Sequence, residues 1–319
     1  MFMIILKSLS KLNRNIKLIL LFFILALTSR CSFAQRVNEY GLKMVSEIEY
    51  QEEYRSCIEL IKFRYDEHNR LIRMSVYHKW IYTEAEIERM KSWTLQERKE
   101  HLKEFPTEPK LYRDFIKTSD GLAVKDYGSY NYSPLRWETA FDCYGNISSI
   151  SVFEEFEPGA IRRDVFNLEY ERDDIDNTFR LSRYSHTETS KRQGQKSWYG
   201  TTVGTTYRNF YHKEGFTVAD KSIEETYSID YEHINDTNIN LLYFFGVSSL
   251  YGGGMYMSYF TLTEWLPCRS KYFINRIIPL GDLIKYSFGY DRDNNLICVS
   301  KIEDYRLGKT EKITIKYLY

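Results

Sequence analysis

Hydrophobic and polar residues alternate through much of this chain. Ile61, Phe63 and Tyr65 are interleaved with Lys62 and Arg64, Ile72, Met74 and Val76 resume the period after a short break, and Tyr286, Phe288 and Tyr290 repeat it. A period of two puts successive side chains on opposite faces of a strand, so the pattern predicts antiparallel sheet with one buried face. The breaks resemble one another. Each reads aromatic, Asp, two variable residues, Asn or Gly, a polar residue, then Leu or Ile: Tyr65-Asp66-Glu67-His68-Asn69-Arg70-Leu71, Phe141-Asp142-Cys143-Tyr144-Gly145-Asn146-Ile147 and Tyr290-Asp291-Arg292-Asp293-Asn294-Asn295-Leu296. Asp bonds nearby backbone N–H groups and Asn or Gly supplies a positive φ, so each phrase predicts a hairpin turn. Two looser copies replace the first Asp by Glu and lengthen the turn. They are Tyr170-Glu171-Arg172-Asp173-Asp174, leading to Asn177 and Phe179, and Tyr231-Glu232-His233-Ile234-Asn235-Asp236, leading to Asn238 and Ile239. Unequal spacing of the five excludes a strict solenoid.

Helical patterning is confined to residues 83–105. Thr83-Glu84-Ala85-Glu86 gives an acidic first turn and reads as short of a full capping box, whereas Thr94-Leu95-Gln96-Glu97 is one. Helices over about 83–92 and 94–104, stopped by Phe105-Pro106, would dock on the sheet through Ile87, Met90, Trp93, Leu95, Leu102 and Phe105. Beyond residue 107 the chain reads as strands and turns, with turn signals at Asp120-Gly121, Tyr132-Ser133-Pro134 and Pro158-Gly159. Residues 185–206 read as a polar exposed loop or hairpin tip. The aromatic stretch 243–260, broken by Gly252-Gly253-Gly254, reads as a kinked buried strand pair. The expected fold is all-β: an antiparallel meander of hairpins, open or sandwich-like, with a short αα insertion.

Lys7, Lys11, Arg14 and Lys17 precede an apolar run over residues 18–27, followed by Ser32-Phe33-Ala34. This is the layout of a secretory signal peptide, with cleavage expected between Ala34 and Gln35. The run is shorter than the roughly 20 residues of a membrane-spanning helix. Arg30 before Cys31 argues against a lipid-attachment site. The expected organisation is a signal peptide over 1–34 and a single β-rich domain over 35–319, exported to the periplasm, cell surface or exterior. The whole chain balances 44 basic against 44 acidic residues. Cleavage removes five basic residues and no acid, leaving a mildly acidic protein poorly suited to phosphate backbones. Nucleic acid is not an expected partner, nor is a stable membrane span expected after cleavage. Cys57, Cys143, Cys268 and Cys298 would remain, as two disulfides in any of three connectivities or as free thiols. No CxxC pair suggests zinc.

Aromatic residues make up 16% of the chain, with 28 tyrosines, which suits a sheet with one wet face. Trp198 and Tyr199 in the polar loop, and Tyr251 and Tyr256 around the glycines, are the candidate ligand-binding rings; a protein or carbohydrate surface would be their partner. Catalytic signatures are absent from the sequence: there is no GxSxG elbow, phosphate-binding glycine loop or dinucleotide fingerprint. His68, His78, His101, His186, His212 and His233 show no HxH or HExxH pairing, and most read as surface or turn residues. Asp291-Arg292-Asp293-Asn294-Asn295 opens like a calcium loop, but Leu296 stands at the glycine position and Ile302 at the twelfth, so a plain turn is expected. Glu154-Glu155 and Asp173-Asp174 would serve a glycosidase only if acids faced each other across a cleft. No catalytic residue, cofactor or metal site is therefore expected. The reading is a secreted or periplasmic non-catalytic binding or structural module presenting an aromatic-rich sheet. One alternative is an outer-membrane β-barrel, from the alternating C-terminal stretch ending on Tyr319. The other is an enzyme of unrecognised type, a carboxylate-dependent hydrolase, whose mark would be facing carboxylates or a His–carboxylate pair.

The phrase at residues 65–71 resembles the YD repeat of Rhs and teneurin-type proteins, with Asn69 where the usual form has Gly; Asn reaches the same left-handed conformation. The copies at 141–147 and 290–296 lack the Arg before Ile or Leu. Similarity covers five short patches, under half of the chain. It implies hairpins in extended curved sheets, with binding or encapsulating roles and no catalysis by the repeat. Scattered copies behind a signal peptide also resemble secreted YD-like proteins of some Gram-negative bacteria.

Overall fold

The computed structural model describes residues 35–38, 41–52, 56–127, 136–173, 178–195, 206–213, 216–220, 226–241, 244, 259–260, 262–266, 272–278, 282–303 and 309–319. Val37–Leu318 forms one compact unit. The strands are β1 (Val45–Glu52), β2 (Cys57–Tyr65), β3 (Leu71–Trp80), β4 (Lys110–Lys117), β5 (Leu122–Asp126), β6 (Arg136–Phe141), β7 (Ile147–Glu157), β8 (Ala160–Asp173), β9 (Thr178–Arg192), β10 (Thr206–Lys213), β11 (Phe216–Asp220), β12 (Thr226–Ile234), β13 (Tyr272–Ile278), β14 (Asp282–Tyr290), β15 (Leu296–Glu303) and β16 (Lys309–Tyr317). They form a ten-stranded sheet, β12-β13-β14-β15-β16-β1-β2-β3-β4-β5, and a six-stranded sheet, β11-β10-β9-β8-β7-β6. Within each sheet chain neighbours pair antiparallel, and the β1–β16 ladder joins the first strand to the last. Among the described residues no ladder joins β5 to β6 or β11 to β12, so the all-β meander is not closed into a ring.

The three Asp phrases build the same turn. Asp66 Oδ1 accepts from the N–H groups of His68 and Arg70, both at 2.9 Å. Asp142 does so from Tyr144 and Asn146, also at 2.9 Å, and Asp291 from Asp293 and Asn295 at 2.9 and 2.8 Å. The fifth position takes the positive φ: 62° at Asn69, 88° at Gly145 and 62° at Asn294. In each hairpin the register shifts by one just before the aromatic residue, which then pairs with the Leu or Ile after the turn. Pro158-Gly159 and Asp120-Gly121 also turn as expected. A Cβ on Gly121 would lie 1.9 Å from the Thr139 carbonyl oxygen, so this turn of the ten-stranded sheet abuts β6 of the other.

Side chains on one face of each sheet make the core. In the larger sheet Ile48 pairs with Ile61, Ile61 with Val76, Met74 with Phe115 and Val299 with Ile313, all essentially without solvent exposure. In the smaller sheet Trp137 pairs with Val152, Ile150 with Phe166 and Leu168 with Tyr184. The described part of residues 235–266 packs onto this core through Ile239, Leu241, Phe244, Tyr259, Phe260, Leu262, Trp265 and Leu266. It is held at the turn end of β1 and β3. Asn238 Oδ1 accepts from Val45 N at 3.1 Å, Glu264 Oε1 from Leu71 N at 3.0 Å, and Trp265 Nε1 donates to Leu71 O at 3.2 Å.

The opposite face is charged. Glu47 pairs with both Lys62 and Lys316, Arg73 forms a bidentate pair with Asp114 at 2.8 and 2.7 Å, and the guanidinium groups of Arg136 and Arg163 lie over the Phe153 ring.

Several sequence expectations are corrected. Thr83 and Glu86 form a full capping box, so both α1 (Glu84–Lys91) and α2 (Leu95–Glu104) are capped alike. Neither helix buries a residue, and Leu95 is 70% exposed. The expected docking stripe does not dock: Ile87 and Leu102 are exposed as well. The hairpin is instead tied to its own stem by the Trp80–Phe105 stack and by Tyr82 Oη donating to Phe105 O at 2.5 Å. The Tyr231 phrase is not a hairpin: Asn235 bonds Thr237 and Ile239 and turns the chain into the core. Residues 185–192 are not loop but the end of β9, paired along β8 up to Arg192; Asp173 pairs with Thr178, so the Tyr170 copy does close a hairpin. Cys143 and Cys298 are free thiols, Cys57 Sγ donates to Ile58 O at 3.7 Å, and Cys268 lies outside the described residues. Tyr132-Ser133-Pro134 and most of 243–260 also lie outside them.

Candidate functional site

Along the core face of the six-stranded sheet the chemistry changes with distance from the turns. Near the Asp142 turn the face is apolar, with Ile147, Ile150, Phe166, Leu168 and Leu181. Farther along the same strands stand Asp164 beside Val152, Glu154 beside Arg162, and Glu188 beside Asp164. Strict alternation and the antiparallel register put these side chains on the core face, one or two pairs beyond the apolar ones.

The resulting cluster is a chain of opposite charges. Arg162 Nη2 donates to Glu154 Oε2 at 2.5 Å, and its Nε lies 3.4 Å from Asp164 Oδ2. Asp164 Oδ1 lies 2.8 Å from His186 Nε2. The imidazole is stacked on Phe166, with ring centroids 4.4 Å apart and planes 6° apart. Asp164 is sealed, with 4% of its side chain exposed, while His186 at 28% and Arg162 at 34% reach solvent. A buried carboxylate thus fixes a half-exposed imidazole and guanidinium, the arrangement that preorganises polar recognition.

A second buried pair lies where the two sheets meet. Arg113 on β4 bonds Asp126 at the end of β5, and Trp137 Nε1 on β6 donates to the other Asp126 oxygen at 3.2 Å. The rings of Tyr112, Trp137 and Tyr259 surround the guanidinium at 5.2 to 5.5 Å. His78 stacks on Tyr112 at 4.1 Å; burial, and then the Arg113 charge, push its pKa down to about 4. This pair is closed in and acts as a rivet between β5 and β6. His78 and His186 are therefore core-face residues held by aromatic rings, apart from the surface or turn placement expected of most of the six histidines.

The rings predicted to bind ligand, Trp198, Tyr199, Tyr251 and Tyr256, lie outside the described residues, as does Ala34; Gln35 is described. Glu154 and Glu155 do not face each other. Glu154 points to Arg162, while Glu155 caps the next turn by accepting from Gly159 N at 2.7 Å. The Asp291 phrase is a turn whose carboxylate is occupied by Asp293 and Asn295, and among the described residues no cluster of metal-ligating side chains occurs. The Glu154–Arg162–Asp164–His186 cluster escaped sequence reasoning because His186 and Asp164 are brought together by the β8–β9 register alone. The usable signal was alternation through 160–192, which puts Arg162, Asp164, Phe166 and Leu168 on one face.

No protein-family model matches the sequence, and no curated protein matches it. Among solved structures, a porin-like protein from Bacteroides uniformis is similar, with a TM-score of 0.51 at 10% identity, over 86% of this chain and 96% of that one. At such identity the likeness concerns the fold. No described helix is long and apolar enough to cross a membrane.

Proposed function

We propose that the protein is an exported, non-catalytic binding module of YD-type hairpins that works in water and takes its partner at the polar end of the core face. The observation that carries this reading is the polarity of the two faces. An outer-membrane barrel turns an apolar band toward lipid, where each Arg or Lys at the midplane costs about 2–4 kcal/mol. Here the non-core face carries Glu47, Lys62, Arg64 and Lys316 on adjacent strands, with Arg73 and Arg163 beyond them. That lattice supports a wet surface, and the porin-like neighbour is a neighbour in strand arrangement. The basic leader and its small-residue cleavage site support export. The test is fractionation of cells making the full chain. The expected result is mature protein released with the soluble periplasmic or extracellular contents. Recovery in the outer membrane, with gel migration that changes on boiling, would contradict it.

One observation favours a second reading, an acid–base hydrolase: His186 held by Asp164 has the orientation of a general base. Among the described residues no hydroxyl or thiol is hydrogen bonded to His186, so a nucleophile–base pair is not built. Hydrolysis of a glycoside or ester panel that His186→Gln abolishes would establish this second reading.

A further inference from the structure

Asp164 has one oxygen without a hydrogen-bond partner. Oδ1 is bonded to His186, whereas Oδ2 is buried, accepts no hydrogen bond, and faces Arg162 Nε only as an ion pair at 3.4 Å. A buried carboxylate oxygen left without a donor is unfavourable, and such a group marks a place where something else donates. We propose that Glu154, Arg162, Asp164 and His186 form a saccharide subsite in which a ligand hydroxyl, admitted as the partly exposed Arg162 and His186 side chains shift, donates to the otherwise buried Asp164 Oδ2. The proposal rests on the binding-module reading and specifies its ligand class.

The chemistry selects a hydroxyl. A hydroxyl donates one hydrogen and accepts on the same oxygen, so it fits between a carboxylate and a guanidinium or imidazole. A fully ionised ligand such as a sulfate or phosphodiester brings no proton for Oδ2, and any anion meets the charges of Glu154, Asp164 and Glu188. An ammonium could donate to Oδ2 but would come up against the Arg162 charge beside it. A sugar ring supplies several hydroxyls at neighbouring positions, matching the alternating order Glu154, Arg162, Asp164, His186. Stacking on Phe166 keeps the imidazole edge-on to that line. Water could occupy the same place, and the test separates it from sugar.

The mature protein is applied to an array of purified neutral, amino and uronic-acid oligosaccharides. The best-retained sugar is then titrated calorimetrically into the wild type, Asp164→Asn, His186→Gln and the opposite-face control Arg183→Gln. The proposal expects a neutral oligosaccharide to bind, with affinity at least tenfold lower in Asp164→Asn and His186→Gln and within twofold in Arg183→Gln. Should Asp164→Asn fail to fold, wild-type histidine ring resonances decide: the sugar must shift His186 and leave His68 at its exposed turn unmoved. Retention of no neutral sugar, stronger retention of amino or acidic sugars, or binding unaffected by both substitutions overturns the subsite. Sugar binding that both substitutions leave unchanged would still leave a binding module, whereas outer-membrane insertion would remove that broader reading.

Discussion

Asp142 and Asn146 are joined by three hydrogen bonds across a single turn. Asp142 N donates to Asn146 O at 2.8 Å, Asn146 N to Asp142 Oδ1 at 2.9 Å, and Asn146 Nδ2 to Asp142 Oδ2 at 3.1 Å. Asp291 and Asn295 repeat the arrangement at 2.9, 2.8 and 2.9 Å, and Asp66 uses the Arg70 guanidinium in place of the amide. An Asp→Ala change at any one of the three removes acceptors from backbone N–H groups much as loss of a helix cap does. We expect each to cost about 1–2 kcal/mol in urea unfolding. Because the turns are far apart in sequence and share no hydrogen bond, the costs should add within about 0.5 kcal/mol. At the positive-φ position, Asn294→Gly should be tolerated and Asn294→Val should destabilise by about 1–2 kcal/mol.

The same turns make a pH prediction. Hydrogen bonds from the Asn295 side chain and backbone hold the Asp291 carboxyl below its ordinary range. A group depressed in the folded state stabilises it above the unfolded pKa, and this contribution disappears as pH falls through the lower folded value. Asp291→Asn should therefore flatten the stability profile below about pH 4 and leave its shape above that unchanged.

His78 titrates in a separate window. Its pKa falls from 6.5 toward about 4, chiefly by burial and then by the Arg113 charge, so protonation favours the unfolded chain. Stability from this residue is complete above pH 6.5 and decreases as the pH is lowered toward 4. His78→Phe keeps a ring on Tyr112 and should remove the slope in that interval, read from chemical denaturation at stepped pH.

How much of this was legible in sequence depends on the range of the forces involved. Asp turns and capped helices are local: their donors and acceptors lie within five residues, so the phrases at 65–71, 141–147 and 290–296 and at Thr94 could be read directly, and Thr83 should have been. The alternation in β2 and β3 gave the faces. What stayed hidden depends on distant partners. Asp164 meets His186, and Glu264 meets Leu71, across 22 and 193 residues, and neither period nor composition encodes those registers. The Ile87–Leu102 stripe misled because helical spacing shows which residues share a face and not whether that face meets the sheet.

Gly121 sets the approach of one sheet to the other. With φ at +152° and a Cβ position 1.9 Å from the Thr139 oxygen, Gly121→Ala must displace backbone. We expect a loss of about 3 kcal/mol. Leu122, which follows, should tolerate Leu122→Met at under about 1.5 kcal/mol, because only volume and shape are at stake there.

Residues 235–266 should behave as part of the folding unit. Tyr65 Oη donates to Val45 O at 2.8 Å and accepts from Asn238 at 2.9 Å, and burial, with the Glu264 charge, raises its pKa. Tyr65→Phe removes a donor from Val45 O and leaves Asn238 Nδ2 only its longer bond to Glu264 Oε2 at 3.4 Å, at about 1–3 kcal/mol in thermal or urea unfolding. Trp265→Ala should cost about 3–5 kcal/mol and unfold the sheet in the same transition.

Adjacent positions on β2 show which face of the sheet meets water. With native cysteines replaced by Ser, Lys62→Cys and Phe63→Cys are exposed to a hydrophilic maleimide, in detergent-free solution and in cells. Fast labelling is expected at position 62 and protection at position 63, where the wild-type residue is 7% exposed. Protection at 62 with labelling at 63, as lipid outside and water inside would give, would contradict that expectation.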